Sequence, residues 1–331
     1  MVRVPVWLRG GAMLAGTAVA WGGMFAVTKP LMGMVDPFTL TLVRYGVTAP
    51  VFLALLVLVE GVGALRLEGR GWRLWWLGTL GFAGFGVLAF LGLRVAQPEH
   101  AAVIPATMPL IAVAVAAWRA RRRPSGRVLL AVALGLAGVV LVVTRGAPLE
   151  LVRGGAGRGE ALVFLGASLW VFYTLGAAAF PGWSGLRYTA LSCALGVLSI
   201  AALDVLAFAG GWARWPGGVA LAGAWPELGY LIGVASVLGV LGWNAGMRAM
   251  GAARGVLFIN LVPVTAFAIA VVGGRVPVGT ELAGVALVIA ALVLNSFAGV
   301  RGAGAVPREA VVPVATGCGV REAVPLRVAG R

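Results

Sequence analysis

Thr17, Trp21, Phe25 and Thr28 recur at three- and four-residue spacing, so a helix through them presents one face of rings and hydroxyls that leads to Lys29. Lys29 is the one lysine among 26 cationic residues. A compact ammonium can lose its proton where a guanidinium cannot, which suits a contact with a solute; an interfacial anchor is the alternative role. Trp170, Tyr173 and Thr174 build a second face of the same kind. Aromatic walls with a few hydroxyls fit an amphipathic organic solute, although such stripes also serve as plain packing.

Arg44 lies about seven residues, or ~10 Å at helical rise, inside an apolar run. An arginine in hydrocarbon costs ~2.5–3.5 kcal/mol on insertion scales, so it should face a helix bundle or a wet cavity, unless its stem snorkels to the interface. Asn244 and Asn260 also fall inside apolar runs, where an unpaired amide is costly. Hydrogen bonding between helices and contact with a solute are both open to them. Pro109 and Pro263 interrupt two further runs and are candidate hinges, since each frees a backbone carbonyl one turn earlier. Proton coupling would want a carboxylate or histidine at depth. The nearest candidates are Glu99 and His100 at the start of one run and Asp204 near the end of another, so facilitated exchange is an equal alternative. Two cysteines, Cys193 and Cys318, and the lone His100 make neither a metal cluster nor a disulfide framework. No cofactor is expected.

The elements that must position these residues are apolar runs, each long enough to cross a bilayer at 1.5 Å per residue. With 61% hydrophobic and 11% charged residues, and a mean hydropathy of +1.00, the chain reads as an integral membrane protein. The runs are continuous rather than alternating, which favours helices over a β-barrel. The expected spans are 11–28, 37–59, 73–95, 99–118, 126–144, 160–179, 186–208, 227–249, 253–273 and 280–300. This predicts an all-α fold of ten transmembrane helices. Fifty-one glycines suit close helix approach in lipid, with Gly229/Gly233 and Gly242/Gly246 as small-xxx-small pairs in one run.

The formal charge of +15 is concentrated in short loops and the tail, without the aromatic-plus-basic module of a nucleic-acid binder. Its distribution instead sets orientation. The cluster Arg119, Arg121, Arg122, Arg123 and Arg127 leads an excess on the side of the N-terminus, which predicts both termini in the cytoplasm of a multi-pass inner-membrane protein. The expected organisation is a cytoplasmic N-terminus over 1–10, one five-helix unit over 11–145, a linker over 146–159, a second unit over 160–300, and a disordered cytoplasmic tail over 301–331. The first twenty residues have some features of a signal peptide, but the apolar run continues past Trp21 to Val27.

The chain also matches itself. A shift of 154 positions pairs Gly92 with Gly246, Arg94 with Arg248, Pro109 with Pro263, Ala114 with Ala268 and Ala116 with Ala270; a shift of 149 pairs Trp21 with Trp170. Five helices per unit is an odd number, so the second copy would enter the membrane from the opposite face. Inverted repeats around a central cavity are the architecture of alternating access.

At these residues the chain resembles the EamA-type branch of the drug/metabolite transporter superfamily. The resemblance rests on Trp21-Gly22-Gly23-Met24-Phe25 through Lys29, Asp36-Pro37 through Arg44-Tyr45, the Pro109 helix with the Gly135–Val139 stretch, and Gly251-Ala252-Ala253 through Leu257 to Pro263. It covers about residues 11–299. It implies ten helices in two inverted five-helix repeats around a central cavity. Such repeats often end their fourth and ninth helices in Gly-Glu; here Trp118-Arg119 and Gly273-Gly274-Arg275 stand there.

The expected function is secondary transport of a small amphipathic metabolite, amino acid or drug, outward, with a solute and the lipid bilayer as partners and a homodimer as a further option. A permease subunit of an ATP-driven importer is the alternative, although the chain carries no nucleotide-binding loop. An integral-membrane transferase is another, with Glu99 and His100 the lone cluster to serve it. The residues expected to line the cavity are Trp21, Phe25, Thr28, Lys29, Arg44, Trp170, Tyr173, Thr174, Asn244 and Asn260.

Overall fold

The computed structural model describes residues 5–31, 33–96, 104–121, 123–147, 149, 153, 157–214, 216 and 222–297. Helices account for nearly all of them, and no strand occurs among the described residues. We label the helices α1 (Val6–Leu31), α2 (Pro37–Glu60), α3 (Gly71–Val95), α4 (Met108–Ala120, entered through a 3₁₀ turn, Ile104–Thr107), α5 (Gly126–Thr144), α6 (Arg158–Gly176), α7 (Gly185–Ala209), α8 (Trp225–Met250), α9 (Leu261–Val272, entered through Ala252–Gly255 and a 3₁₀ turn, Val256–Asn260) and α10 (Gly279–Phe297). Helices α2, α3, α6, α7 and α8 are each long and apolar enough to cross a membrane, and shorter apolar helices accompany them. Glu99, His100 and the tail over 301–331 lie outside the described residues, as do half of the linker and the side chains of Phe25 and Lys29.

The distribution of side chains is that of a protein dissolved in lipid. Leu58, Phe164, Leu198, Val205, Leu206 and Phe208 are exposed, while Thr17, Arg44, Thr48, Ser192, Asn244 and Asn260 are buried. Water would reverse that preference; hydrocarbon tolerates it, because an exposed leucine costs nothing there and an exposed amide does.

Helix starts and stops follow local chemistry. Asp36 caps α2 by accepting the backbone N–H groups of Phe38 and Thr39 at 2.9 and 3.1 Å, and Pro37 fills the first helical position, where its missing N–H costs no bond. Ser184 caps α7 through the N–H of Arg187 at 2.8 Å. Two departures from α geometry were not foreseen. Thr79–Gly84 in α3 and Tyr230–Leu238 in α8 are π-helical. These wider turns fall at corresponding places in the two helices, inside the 154-residue shift that aligns them.

Helix α1 packs on α8 and α9, and α6 packs on α3 and α4; α2 meets α7 face to face, as α5 meets α10. Moving five helices along the chain therefore exchanges one set of partners for the other. Glycine permits the closest of these approaches. A Cβ on Gly246 would sit 2.9 Å from the carbonyl oxygen of Gly10, and one on Gly92 would sit 2.6 Å from that of Gly159. Gly246 and Gly92 are also the pair aligned by the sequence shift. Of the two small-xxx-small pairs expected in α8, Gly242 and Gly246 do face α1, whereas Gly229 and Gly233 meet nothing within 4 Å.

The prolines also sit differently from expectation. Pro109 and Pro263 are buried and stand in the first turn of α4 and of α9, directly after a 3₁₀ turn, rather than in mid-helix. A first-turn proline removes no helical hydrogen bond, so any bending there resides in the 3₁₀-to-α junction.

Candidate substrate cavity

Helices α1, α2, α3, α4, α6, α8 and α9 converge on a buried cavity bordered by Trp21, Met24, Arg44, Tyr45, Phe85, Pro105, Met108, Trp170, Val240, Ile259 and Val262. The room it leaves for the centres of water-sized spheres is ≈ 30 Å³. A second space of ≈ 20 Å³ adjoins it, sharing Met24, Arg44, Phe85 and Pro105 and adding Phe90 and Val163. A third, of ≈ 10 Å³, lies on the other side of Trp170 against Thr174, Trp243 and Met247. A water needs roughly 10–15 Å³ on this measure, so in this conformation the spaces are water-sized and too small for a metabolite. Met24 and Met108, with unbranched side chains, are the walls best able to give way. A wider groove of ≈ 160 Å³ between α4, α5 and α6 is lined by Ala112, Val113, Pro124 and other apolar groups, and offers a polar ligand nothing to bond.

Aromatic rings frame the cavity. Trp21 meets Trp170 edge to face at 5.5 Å and an interplanar angle of 81°, and stands 5.3 Å from Trp243. Trp170 also contacts Phe85 at 5.4 Å and Tyr173 at 5.0 Å. Such contacts add ~0.5–1.5 kcal/mol each beyond area burial, enough to hold the rings in one arrangement. The two tryptophans differ in their polar edges. Trp21 donates its indole N–H to the carbonyl oxygen of Ala235 at 2.8 Å, inside the π turn of α8, and Thr17 donates to that of Gly239 at 3.0 Å. The indole N–H of Trp170 is buried without any acceptor among the described residues.

Arg44 is 2% exposed. Its Nε donates to Ser236 Oγ at 2.6 Å, again in the π turn of α8, and its guanidinium lies 4.8 Å from the Tyr45 ring centre and 6.0 Å from that of Phe90. No carboxylate among the described residues pairs with the guanidinium, which makes no other hydrogen bond among them. Cation–π contacts of this kind are worth ~0.5–2 kcal/mol, less than a buried cation loses on leaving water.

The remaining expected residues divide. Tyr173 and Asn244 stand in a buried hydrogen-bond network behind the cavity: Asn244 Nδ2 donates to Tyr173 Oη at 2.8 Å and to Thr189 Oγ1 at 2.7 Å. Asn244 therefore joins α6, α7 and α8. Thr174 accepts the indole N–H of Trp243 at 3.1 Å and borders the third space. Thr28 is buried with its hydroxyl unpartnered, and Asn260 is buried with its Oδ1 unpartnered; neither borders these spaces. Asp204 is buried on α7 and accepts from Thr39 Oγ1 at 3.0 Å, away from the cavity.

Met24, Tyr45, Phe85, Phe90, Pro105, Met108 and Ser236 are cavity or Arg44 contacts that sequence reasoning did not place at the site. The one available signal was for Ser236, a hydroxyl inside an apolar run. Glu281 was missed as well. It is 1% exposed, pairs with Arg275, lies 3.7 Å from Arg145 Nε and accepts the N–H of Val278 at 2.9 Å. The corner after α9 that lacks the expected Gly-Glu is thus held by a carboxylate from the start of α10.

The EamA-like transporter family matches residues 8–144 of this chain, which contain Trp21, Arg44 and the first half of the cavity. The uncharacterized transporter YrdR of Bacillus subtilis (strain 168) is 29% identical over 85% of this chain and 88% of its own. The chain is thus similar to the EamA-type drug/metabolite transporters, over residues 8–144 by the family and over most of its length by this relative. A second relative, the uncharacterized transporter YyaM of the same organism, is 28% identical over 84% of this chain and 90% of its own length. A solved crystal structure of a protein 24% identical in sequence superposes with a TM-score of 0.67 over 88% of this chain and 98% of that one, a likeness of fold. The family match and the two transporter-named relatives, with the apolar helices, support a membrane transporter.

Proposed function

We propose that this chain is a secondary transporter in which ten helices form two inverted five-helix repeats and carry a small amphipathic solute outward by alternating access. The observation that carries the reading is the exchange of packing partners: α1 on α8 and α9 is repeated by α6 on α3 and α4, with the cavity where the two sets meet. The matched glycine contacts, Gly10 with Gly246 and Gly159 with Gly92, and the matched π turns support the same relation. Two equivalent units can trade conformations, so a cavity at their junction can open to either face in turn.

In this reading the units span 11–145 and 160–300, joined by the linker over 146–159, and the 3₁₀ turns before Pro109 and Pro263 act as paired hinges. The arginine excess on the N-terminal side places both termini in the cytoplasm of an inner-membrane protein. A panel of amphipathic amino acids, carboxylates and amines in proteoliposomes tests it. Counterflow of at least one solute without ATP is expected, and strict dependence on an added ATPase would favour the importer-subunit alternative.

A further inference from the structure

Resting on the transport reading above, we infer that the solute is a monoanion, an apolar or aromatic body bearing one carboxylate, with the carboxylate seated on Arg44 and the indole N–H of Trp170. Both groups border the same cavity. The Arg44 guanidinium has one neutral hydrogen bond, to Ser236, and no carboxylate partner among the described residues. Trp170 is 2% exposed and its N–H has no acceptor among the described residues. The residues that border the site thus include a cation and a neutral donor, both short of an acceptor among the described residues. A buried cation left in that state is costly unless something negative joins it.

The charge count selects a monoanion. Arg44 is the one charged side chain among the described residues lining the cavity; the rest are apolar or aromatic. A dianionic phosphonate would leave a net negative charge among Met24, Phe85 and Met108, whereas a carboxylate cancels the guanidinium. The fork of an arginine also matches a planar carboxylate with two parallel hydrogen bonds. An amine would meet the cation by repulsion, and a neutral amide would leave it uncompensated. The apolar body then lies against the ring face of Trp21 and the two methionines, which must part to admit it, since the space now present fits water.

The test uses the purified full chain and four ligands that share one body: 3-phenylpropanoate, 3-phenylpropanamide, 3-phenylpropylamine and 2-phenylethylphosphonate, with binding read by calorimetry and exchange read in proteoliposomes. The carboxylate should bind at least about tenfold tighter than the amide or amine, and tighter than the phosphonate at a pH where that group is dianionic. Arg44→Gln should abolish the preference, and Arg44→Lys should retain part of it. Trp170→Phe, which keeps a ring and removes the donor, should narrow the gap between carboxylate and amide in protein of normal thermal stability. Equal binding of carboxylate and amide, or preference for the amine, would overturn the inference while leaving transport intact. Failure of every solute in the wider panel to exchange would count against the transport reading itself.

Discussion

Trp21 hands its indole N–H to the carbonyl oxygen of Ala235 across 2.8 Å, while Trp170, its counterpart across the cavity, keeps an indole N–H with no acceptor among the described residues. Two residues aligned by the internal match therefore hold different positions in the energy balance. Trp21 ties α1 to the π turn of α8; Trp170 borders the cavity and leaves its donor unused. Replacing Trp21 by Phe should cost about 1–3 kcal/mol through the stranded carbonyl. Trp170→Phe should cost less than half of that. Thermal unfolding of the two variants in the same detergent checks the order. In exchange assays Trp170→Ala should lose more transport than protein abundance, and equal losses would make the ring a packing element alone.

Glycine contacts give a matched pair of substitutions. An added Cβ at Gly92 meets the Gly159 carbonyl oxygen at 2.6 Å, whereas at Gly229 it meets nothing within 4 Å. Gly92→Ala should destabilise by about 1–3 kcal/mol, the usual cost of overpacking a filled contact. Gly229→Ala should be neutral or slightly stabilising, since alanine is the better helix former. Thermal midpoints of both variants against the parent decide it.

Much of the fold was legible because a helix in lipid announces itself by length and continuous apolarity. The described helical segments follow the apolar runs to within a few residues, apart from a longer α1. The interior was less legible for the same reason. Met24, Phe85 and Met108 face the cavity, while Phe164 and Leu198 face outward, and nothing in hydropathy separates them. Polar residues were the readable exceptions: Arg44 could be placed inward by its cost in hydrocarbon. Asn244 could be seen as buried, but only geometry assigns its amide to Tyr173 and Thr189. The π turns leave no trace in residue type, since they depend on which carbonyls neighbouring helices occupy.

Glu281 makes a prediction about buried charge. Its carboxylate is shared by Arg275 and Arg145, of which Arg145 is 63% exposed. Glu281→Ala strands the partly buried Arg275 and should cost about 3–5 kcal/mol, the range for breaking a buried pair. Arg145→Ala removes an exposed partner and should cost at most about 1 kcal/mol. Denaturation of the two variants side by side measures the difference.

A pH effect is expected at the loop between α2 and α3. Glu68 accepts the indole N–H of Trp183 at 2.9 Å and pairs with Arg187 at 2.7 Å, joining that loop to the start of α7. The Trp183 bond, then Arg187, hold its carboxyl below the ordinary value of 4.5. A depressed carboxylate stabilises the fold above its unfolded pKa, and that contribution disappears as pH falls through the folded value. The thermal midpoint of the parent should therefore drop below pH 4.5 more steeply than that of Glu68→Gln. Parallel curves would show that the tie contributes nothing.

The most direct test of a cavity that changes its opening is labelling at Met24. A Met24→Cys variant in a background with Cys193→Ala and Cys318→Ala is treated with an impermeant maleimide from each face of oriented vesicles. Labelling from both faces, with protection by a transported solute, is expected. Labelling from one face alone under every condition would contradict alternating access.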